Sequence, residues 1–319
     1  MILEVTYAFD PELLPTIDML PKRTSVVVPV EESRRQIDEL FSSLIGDIDR
    51  TGVELVHEEA PGPAGAVPLR IFVPDVRTTR GAVYDVHGGG FTVGSAAMDD
   101  AANIAMAREL GVVVVSVEYR LAPETPFPGP LEDCYAGLVW VAENTERLGI
   151  DPANIVIHGV SAGGGLCAAL ALLARDRGGP AIAFQYLGVP ELDDRLATTS
   201  MQSYVDTPLW NLPAAENSWD SYLGKGVRGT ADVSPYAAPS RATDLTGLPP
   251  AYISAMQFDP LRDEDIAYAQ GLLAAGVTVE LHLFPGTFHG SMLAVGAAVS
   301  KREAAEAIAV LRRALKVPD

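Results

Sequence analysis

The spacing of apolar positions changes along the chain. In the first fifty residues Ile37, Leu40, Phe41, Leu44 and Ile45 recur at helical spacing and form one apolar stripe. Pro11, Pro15, Pro21 and Pro29 chop the segment before it. From Gly52 the pattern shifts: 53–59 and 67–73 read as two strands joined by a turn at Pro61-Gly62-Pro63. Short apolar runs follow at 82–86, 112–117, 155–157, 182–187, 251–254 and 277–284. Helical stretches at 98–110, 130–146, 162–176, 263–275 and 293–315 alternate with them. Several runs are apolar throughout, as strands covered on both faces are. The last helix sets Ile308, Leu311 and Leu315 on one side and Lys301, Arg302, Arg312 and Arg313 elsewhere. This alternation predicts an α/β fold, a mostly parallel sheet flanked by helices.

One region breaks the alternation. Residues 191–230 hold Tyr204, Trp210, Trp219 and Tyr222 and no strand pattern. An aromatic insertion between core strands predicts a lid. The expected organisation is therefore 1–50 as the N-terminal helical part of a cap, 51–190 as the first part of the core, 191–230 as the cap insertion and 231–319 as the second part of the core.

Charge narrows the partners. Of 319 residues, 42 are acidic and 23 basic, a formal net charge of −19. Such a balance argues against nucleic acid and against an anionic membrane surface. The longest apolar stretch, 167–174, is far short of a membrane span. Cys134 and Cys167 are too few for a disulfide framework or a four-ligand zinc site and read as reduced packing residues. With no basic and apolar leader at Met1 to Glu4, a cytoplasmic location is expected.

The densest chemistry lies at Gly159-Val160-Ser161-Ala162-Gly163, between a strand-like run and an apolar helix. Small neighbours let the backbone bend sharply and project the Ser161 hydroxyl, and the helix start brings free N–H groups near it. His87-Gly88-Gly89-Gly90-Phe91 follows an earlier strand; its glycines let backbone N–H groups approach a ligand. No Lys-Ser/Thr pair follows, which disfavours a phosphate loop. Ser161 needs a base and the base an acid. His57 and His282 sit inside strands, His158 should point into the sheet, and His87 suits orienting the glycine loop. His289 instead sits in a loop between the last strand and the last helix, where open α/β sheets place their sites. Asp259 follows the strand at 251–254, while Asp263, Glu264 and Asp265 suit capping of the next helix. The run Pro190-Glu-Leu-Asp-Asp-Arg195 leads into the insertion and could brace the site, with a solvated turn the favoured reading.

In the order Ser161, Asp259, His289, together with Tyr119-Arg-Leu-Ala-Pro-Glu124 and Asp259-Pro-Leu-Arg-Asp-Glu264, these motifs resemble the hormone-sensitive-lipase-like branch of the α/β-hydrolases, the bacterial family IV esterases. The resemblance implies an eight-stranded, mostly parallel sheet with a helical cap. It implies Ser161 as nucleophile, His289 as general base and acid, Asp259 as its orienter, and the N–H groups of Gly88, Gly89 and Ala162 as oxyanion donors. It implies ion pairs from Arg120 and Glu124 that brace loops. No metal or organic cofactor is required.

Phe91, Val160, Trp210 and Trp219 are the expected pocket residues. Val160 stands where the family most often has Asp or Thr, and Ser291 where many relatives have a large apolar residue. The expected substrates are neutral short- to medium-chain acyl esters. An amidase or peptidase with the same triad is the rival. A non-catalytic binding protein, like the related plant gibberellin receptors that lack the histidine, is disfavoured by His289. Relatives also point to a homodimer through the edge near 277–284, beside a monomer. The paired acids Glu31-Glu32, Glu58-Glu59, Asp99-Asp100, Asp193-Asp194 and Asp263 to Asp265 are expected to form a solvated shell that repels anionic esters from a nearly neutral pocket.

Overall fold

A computed structural model of the protein describes residues 7–20, 28–44 and 48–318. Its strands are β1 (Val53–Gly62), β2 (Gly65–Pro74), β3 (Ala82–Val86), β4 (Val113–Val117), β5 (Ile155–Val160), β6 (Phe184–Gly188), β7 (Ala251–Met256) and β8 (Val279–Phe284). Its helices are α1 (Leu14–Met19), α2 (Val30–Leu44), α3 (Asp100–Leu110), α4 (Gly129–Glu143), α5 (Thr145–Leu148), α6 (Ala162–Arg177), α7 (Thr199–Ser203), α8 (Leu212–Leu223), α9 (Arg262–Ala274) and α10 (Ala298–Ala314).

The strands form one eight-stranded sheet in the order β1-β2-β4-β3-β5-β6-β7-β8. The β1–β2 and β2–β4 pairs are antiparallel and the others parallel. Side chains on a strand alternate between faces, so β3 sends Tyr84 into a core under α4 and α6 and Val83 into a core under α3 and α10. That two-sided burial explains why β3 to β7 are mostly apolar.

The predicted elements recur with shifted ends. The first turn falls at Pro63-Ala64, because pairing continues through Pro61↔Ala66 and Gly62↔Gly65. The helix predicted over 130–146 breaks at Asn144, whose side chain donates to the Trp140 carbonyl. The last helix begins only at Ala298, after a short turn at Ser291–Leu293. Ile37 is buried on α2 and Leu40 packs on the core beneath it. The side chains of Phe41, Leu44 and Ile45, the rest of that stripe, lie outside the described residues, as does Pro21. Among the described residues no helix is long and apolar enough to cross a membrane.

Three expectations about charge need correction. The run 190–194 is buried, not a solvated turn. The Leu192 and Asp193 N–H groups donate to Glu264, and the fully buried Asp194 pairs with Arg241. Asp263, Glu264 and Asp265 therefore do not cap α9. Asp263 accepts from the Ser200 N–H, and Glu264 holds the start of the insertion. The acidic shell is also incomplete: Asp100, buried against Arg70, joins Asp193, Asp194, Glu264 and Asp265 in the interior. Acids grouped in sequence thus meet partners far along the chain, which spacing alone does not reveal. The bracing ion pairs do form, Arg120 with Asp133 and Glu124 with Arg34.

Candidate active site

The loops after β3, β5, β7 and β8 converge at the carboxyl end of the parallel strands. Ser161 sits between β5 and α6 at φ +59° and ψ −125°. A side-chain-bearing residue at positive φ is strained and persists only where its surroundings enforce it. Here its N–H donates to the Gly188 carbonyl at 2.8 Å, and its carbonyl accepts from the Gly165 N–H at 3.0 Å.

The turn between β8 and α10 brings His289 to Ser161. Ser161 Oγ lies 2.9 Å from His289 Nε2, and His289 Nδ1 lies 2.7 Å from Asp259 Oδ2. With Nδ1–H given to the carboxylate, Nε2 is left to accept the Ser161 proton. Asp259 has no exposed surface, and its other oxygen accepts from the Leu261 N–H at 2.9 Å. Ser291 fixes the turn: its hydroxyl accepts from the Phe288 N–H and donates to the Phe288 carbonyl, both at 2.7 Å. A polar residue there braces the histidine loop.

The glycine loop lies against this turn. A Cβ on Gly88 would come within 2.7 Å of the Val160 carbonyl, so only glycine lets the loop approach so closely. Gly89, at φ +120°, starts the turn closed by the Val93 N–H. The N–H groups of Gly88, Gly89 and Ala162 give their protons to no group among the described residues. His87 is fully buried, stacked on Tyr119 with ring centroids 4.1 Å apart, and its Nδ1 lies 2.8 Å from the Gly88 carbonyl. Burial pulls its pKa down to about 4, so it is neutral and orients the loop.

These groups open on a cleft of about 1140 Å³, lined here by Ser161, His289, Val160, Leu209 and Trp210. Val160 and Trp210 are therefore where the pocket was expected. Phe91 and Trp219 are not: both are buried away from the cleft. Trp219 shares the inner side of α8 with Ala215 and Tyr222, and Phe91 stacks on Tyr222 at 4.1 Å. They press α8 onto the glycine loop, where Ser218 Oγ donates to the Gly90 carbonyl. Trp210, in the loop before α8, is free to face the cleft. His158 also differs from expectation: it turns to the α3/α10 face and bonds Asp85.

Sequence reasoning missed Glu191. Its N–H donates to the Ser161 carbonyl at 3.1 Å, and both carboxyl oxygens are buried without a hydrogen-bond partner. Burial raises its pKa to about 8, and the nearby Asp259 charge adds to this. Glu191 is therefore uncharged at neutral pH, which spares Asp259 a second carboxylate beside it. The available signal was an acid placed directly after a buried parallel strand.

A serine, a histidine and a buried aspartate in hydrogen-bonded series, on this strand order, define an α/β-hydrolase site. Residues 83–293 match a family model described as alpha/beta hydrolase fold. The chain is 36% identical to Esterase LipI of Mycobacterium tuberculosis over 93% of this chain and 92% of that protein. It is 37% identical to Carboxylesterase NlhH of the same species, covering 96% of each. Among solved structures, one titled Bacterial Heroin Esterase superposes with a TM-score of 0.93 at 51% identity, over 97% of this chain and 98% of that one. The protein belongs to the α/β-hydrolase family, in its hormone-sensitive-lipase-like branch.

Proposed function

We propose that the protein is a serine carboxylic ester hydrolase working through an acyl-enzyme. The observation that carries this is the continuous series Ser161, His289, Asp259 at 2.9 and 2.7 Å, beside three N–H groups that are unpaired among the described residues. Ser161 Oγ attacks the ester carbonyl while His289 Nε2 takes its proton. The oxyanion is met by Gly88, Gly89 and Ala162, where losing one such donor typically costs about 100- to 1000-fold in rate. Protonated His289, stabilised by Asp259, returns the proton to the leaving alcohol. A water activated by His289 then releases the acid.

The apolar walls around Val160, Leu209 and Trp210 support short- to medium-chain acyl esters as substrates. Two buried free cysteines fit a cytoplasmic setting, and exposed Leu281 and Leu283 on edge strand β8 support a homodimer. Ser161→Ala keeps the fold and removes turnover of a para-nitrophenyl ester by about 10⁴-fold or more. Near-native turnover in that variant sinks the mechanism, and a matched anilide measured alongside ranks amide against ester.

A further inference from the structure

The cleft does not end at Ser161. It continues over the sheet between α3 and α10, lined there by Asp85, Asp99, Asn103, His158, Tyr186 and Glu303. This inner chamber is built by register: Asp85, His158 and Tyr186 are direct neighbours on β3, β5 and β6. His158 lies three residues before Ser161 on the same strand and turn, a span of about 10 Å.

The hydrogen bonds inside the chamber leave polar atoms over. His158 Nδ1 lies 2.8 Å from Asp85 Oδ1, and Asn103 Nδ2 donates to Asp85 Oδ2 at 2.9 Å. Ser116 donates to that same oxygen. Asp85 is thereby satisfied and held ionised: burial raises its pKa, but these bonds outweigh burial and hold it below the usual range. With Nδ1 committed to Asp85, His158 Nε2 bonds nothing among the described residues. Asn103 has no exposed surface, and its Oδ1, an acceptor, has no partner among the described residues. Glu303 Oε2 is buried without a partner on α10. Burial, then the charge of Glu306, raise the Glu303 pKa to about 7. Half-buried Asp99 adds a further carboxyl group, whose pKa burial and then the charges of Asp85 and Asp100 raise well above the usual range.

An alcohol brings one donor to these acceptor atoms, and a carboxylate adds repulsion to a site that already crowds Asp85, Asp99 and Glu303. An ammonium group carries three donors and a positive charge that favours the ionised carboxyls. The cations on the lining stand at its outer rim: Arg108 donates to the Thr51 and Asp49 carbonyls, and Lys301 is exposed.

We propose that the inner chamber between α3 and α10 is a subsite for a protonated amine, so that this hydrolase selects esters whose distal end carries an ammonium group. This rests on the ester-hydrolase reading above. The net charge of −19 attracts any cation from afar, but that attraction is screened within about 4 Å at about 0.5 M salt, whereas a buried contact is not.

The test compares para-nitrophenyl omega-aminooctanoate with para-nitrophenyl nonanoate, which carries a methyl in place of the ammonium, both at about 0.5 M salt. The expected result is a kcat/KM ratio of about tenfold or more in favour of the ammonium ester, collapsing toward parity in Glu303→Gln. Parity in the native protein overturns the subsite. A preference that survives in Glu303→Gln overturns it as well, and assigns the effect to overall charge. Calorimetric titration of the native protein with octylammonium and with octanol needs neither the variant nor turnover; octylammonium binding no tighter than octanol also overturns the subsite. Failure to turn over para-nitrophenyl acetate would instead overturn the hydrolase reading and leave the calorimetric result to decide the subsite.

Discussion

Replacing Glu191 by glutamine keeps the shape of a side chain with no exposed surface and removes its titratable proton. In the unfolded chain this carboxyl returns to its ordinary pKa, about 4.3, whereas in the folded protein burial raises it to about 8. The folded state thus binds more protons than the unfolded state between those two values. Stability from this group is fully present below the unfolded pKa and is lost as pH rises through the folded one. Each unit of difference is worth about 1.4 kcal/mol, which sets a ceiling of about 5 kcal/mol. Glutamine lacks this dependence. The stability of Glu191→Gln relative to the native protein should therefore rise by about 3.5 kcal/mol from about pH 5 to about pH 8.

Urea unfolding followed by tryptophan fluorescence at a series of pH values reads that difference directly. Glu264, Asp265 and Glu303, whose pKa values burial also raises, are present in both proteins and cancel. Parallel curves for the two proteins across this range would refute the idea that Glu191 is held uncharged beneath Ser161.

Three further outcomes follow from the same geometry. A Cβ at Gly165 runs into the Glu191 carbonyl oxygen, whereas one at Gly164 meets the Pro190 Cβ at 3.0 Å. Gly165→Ala should lower stability by more than about 2 kcal/mol, while Gly164→Ala, helped by about 1 kcal/mol of helix propensity, should stay close to native in thermal unfolding. Arg241→Met leaves the fully buried Asp194 without its ion-pair partner and should cost about 3 kcal/mol, part of which returns when Asp194→Asn is added. Asp259→Asn should keep the unfolding transition and reduce kcat by about 10⁴-fold, because the amide favours the wrong His289 tautomer; a loss under tenfold would remove Asp259 from its proposed role.

Much of the site could be read from short stretches of chain. A strand, a bend and a helix are local objects, so Ser161 between β5 and α6 was legible from its neighbours. His289 and Asp259 were legible because each follows a strand of a parallel sheet, and that sheet opens its site at the carboxyl ends. Val160 and Trp210 line the cleft beside them. The readings that failed share one cause. Phe91, Trp219, Glu191 and Asp194 owe their surroundings to residues tens of positions away, such as Tyr222 for Phe91 and Arg241 for Asp194.

The sequence by itself determined the alternation of strands and helices, the bend at Ser161 and the order of the chemically active residues, since each rests on spacing within a few residues. Only the tertiary structure decided which aromatics face the cleft and which acids are buried and uncharged. It alone also set Asp85, His158 and Tyr186 side by side, because strand register joins residues that lie 73 and 28 positions apart in the chain. Burial and pairing are properties of that register and of the packing over it, and it is these that turn a chain of net charge −19 into a few specific interior acceptors.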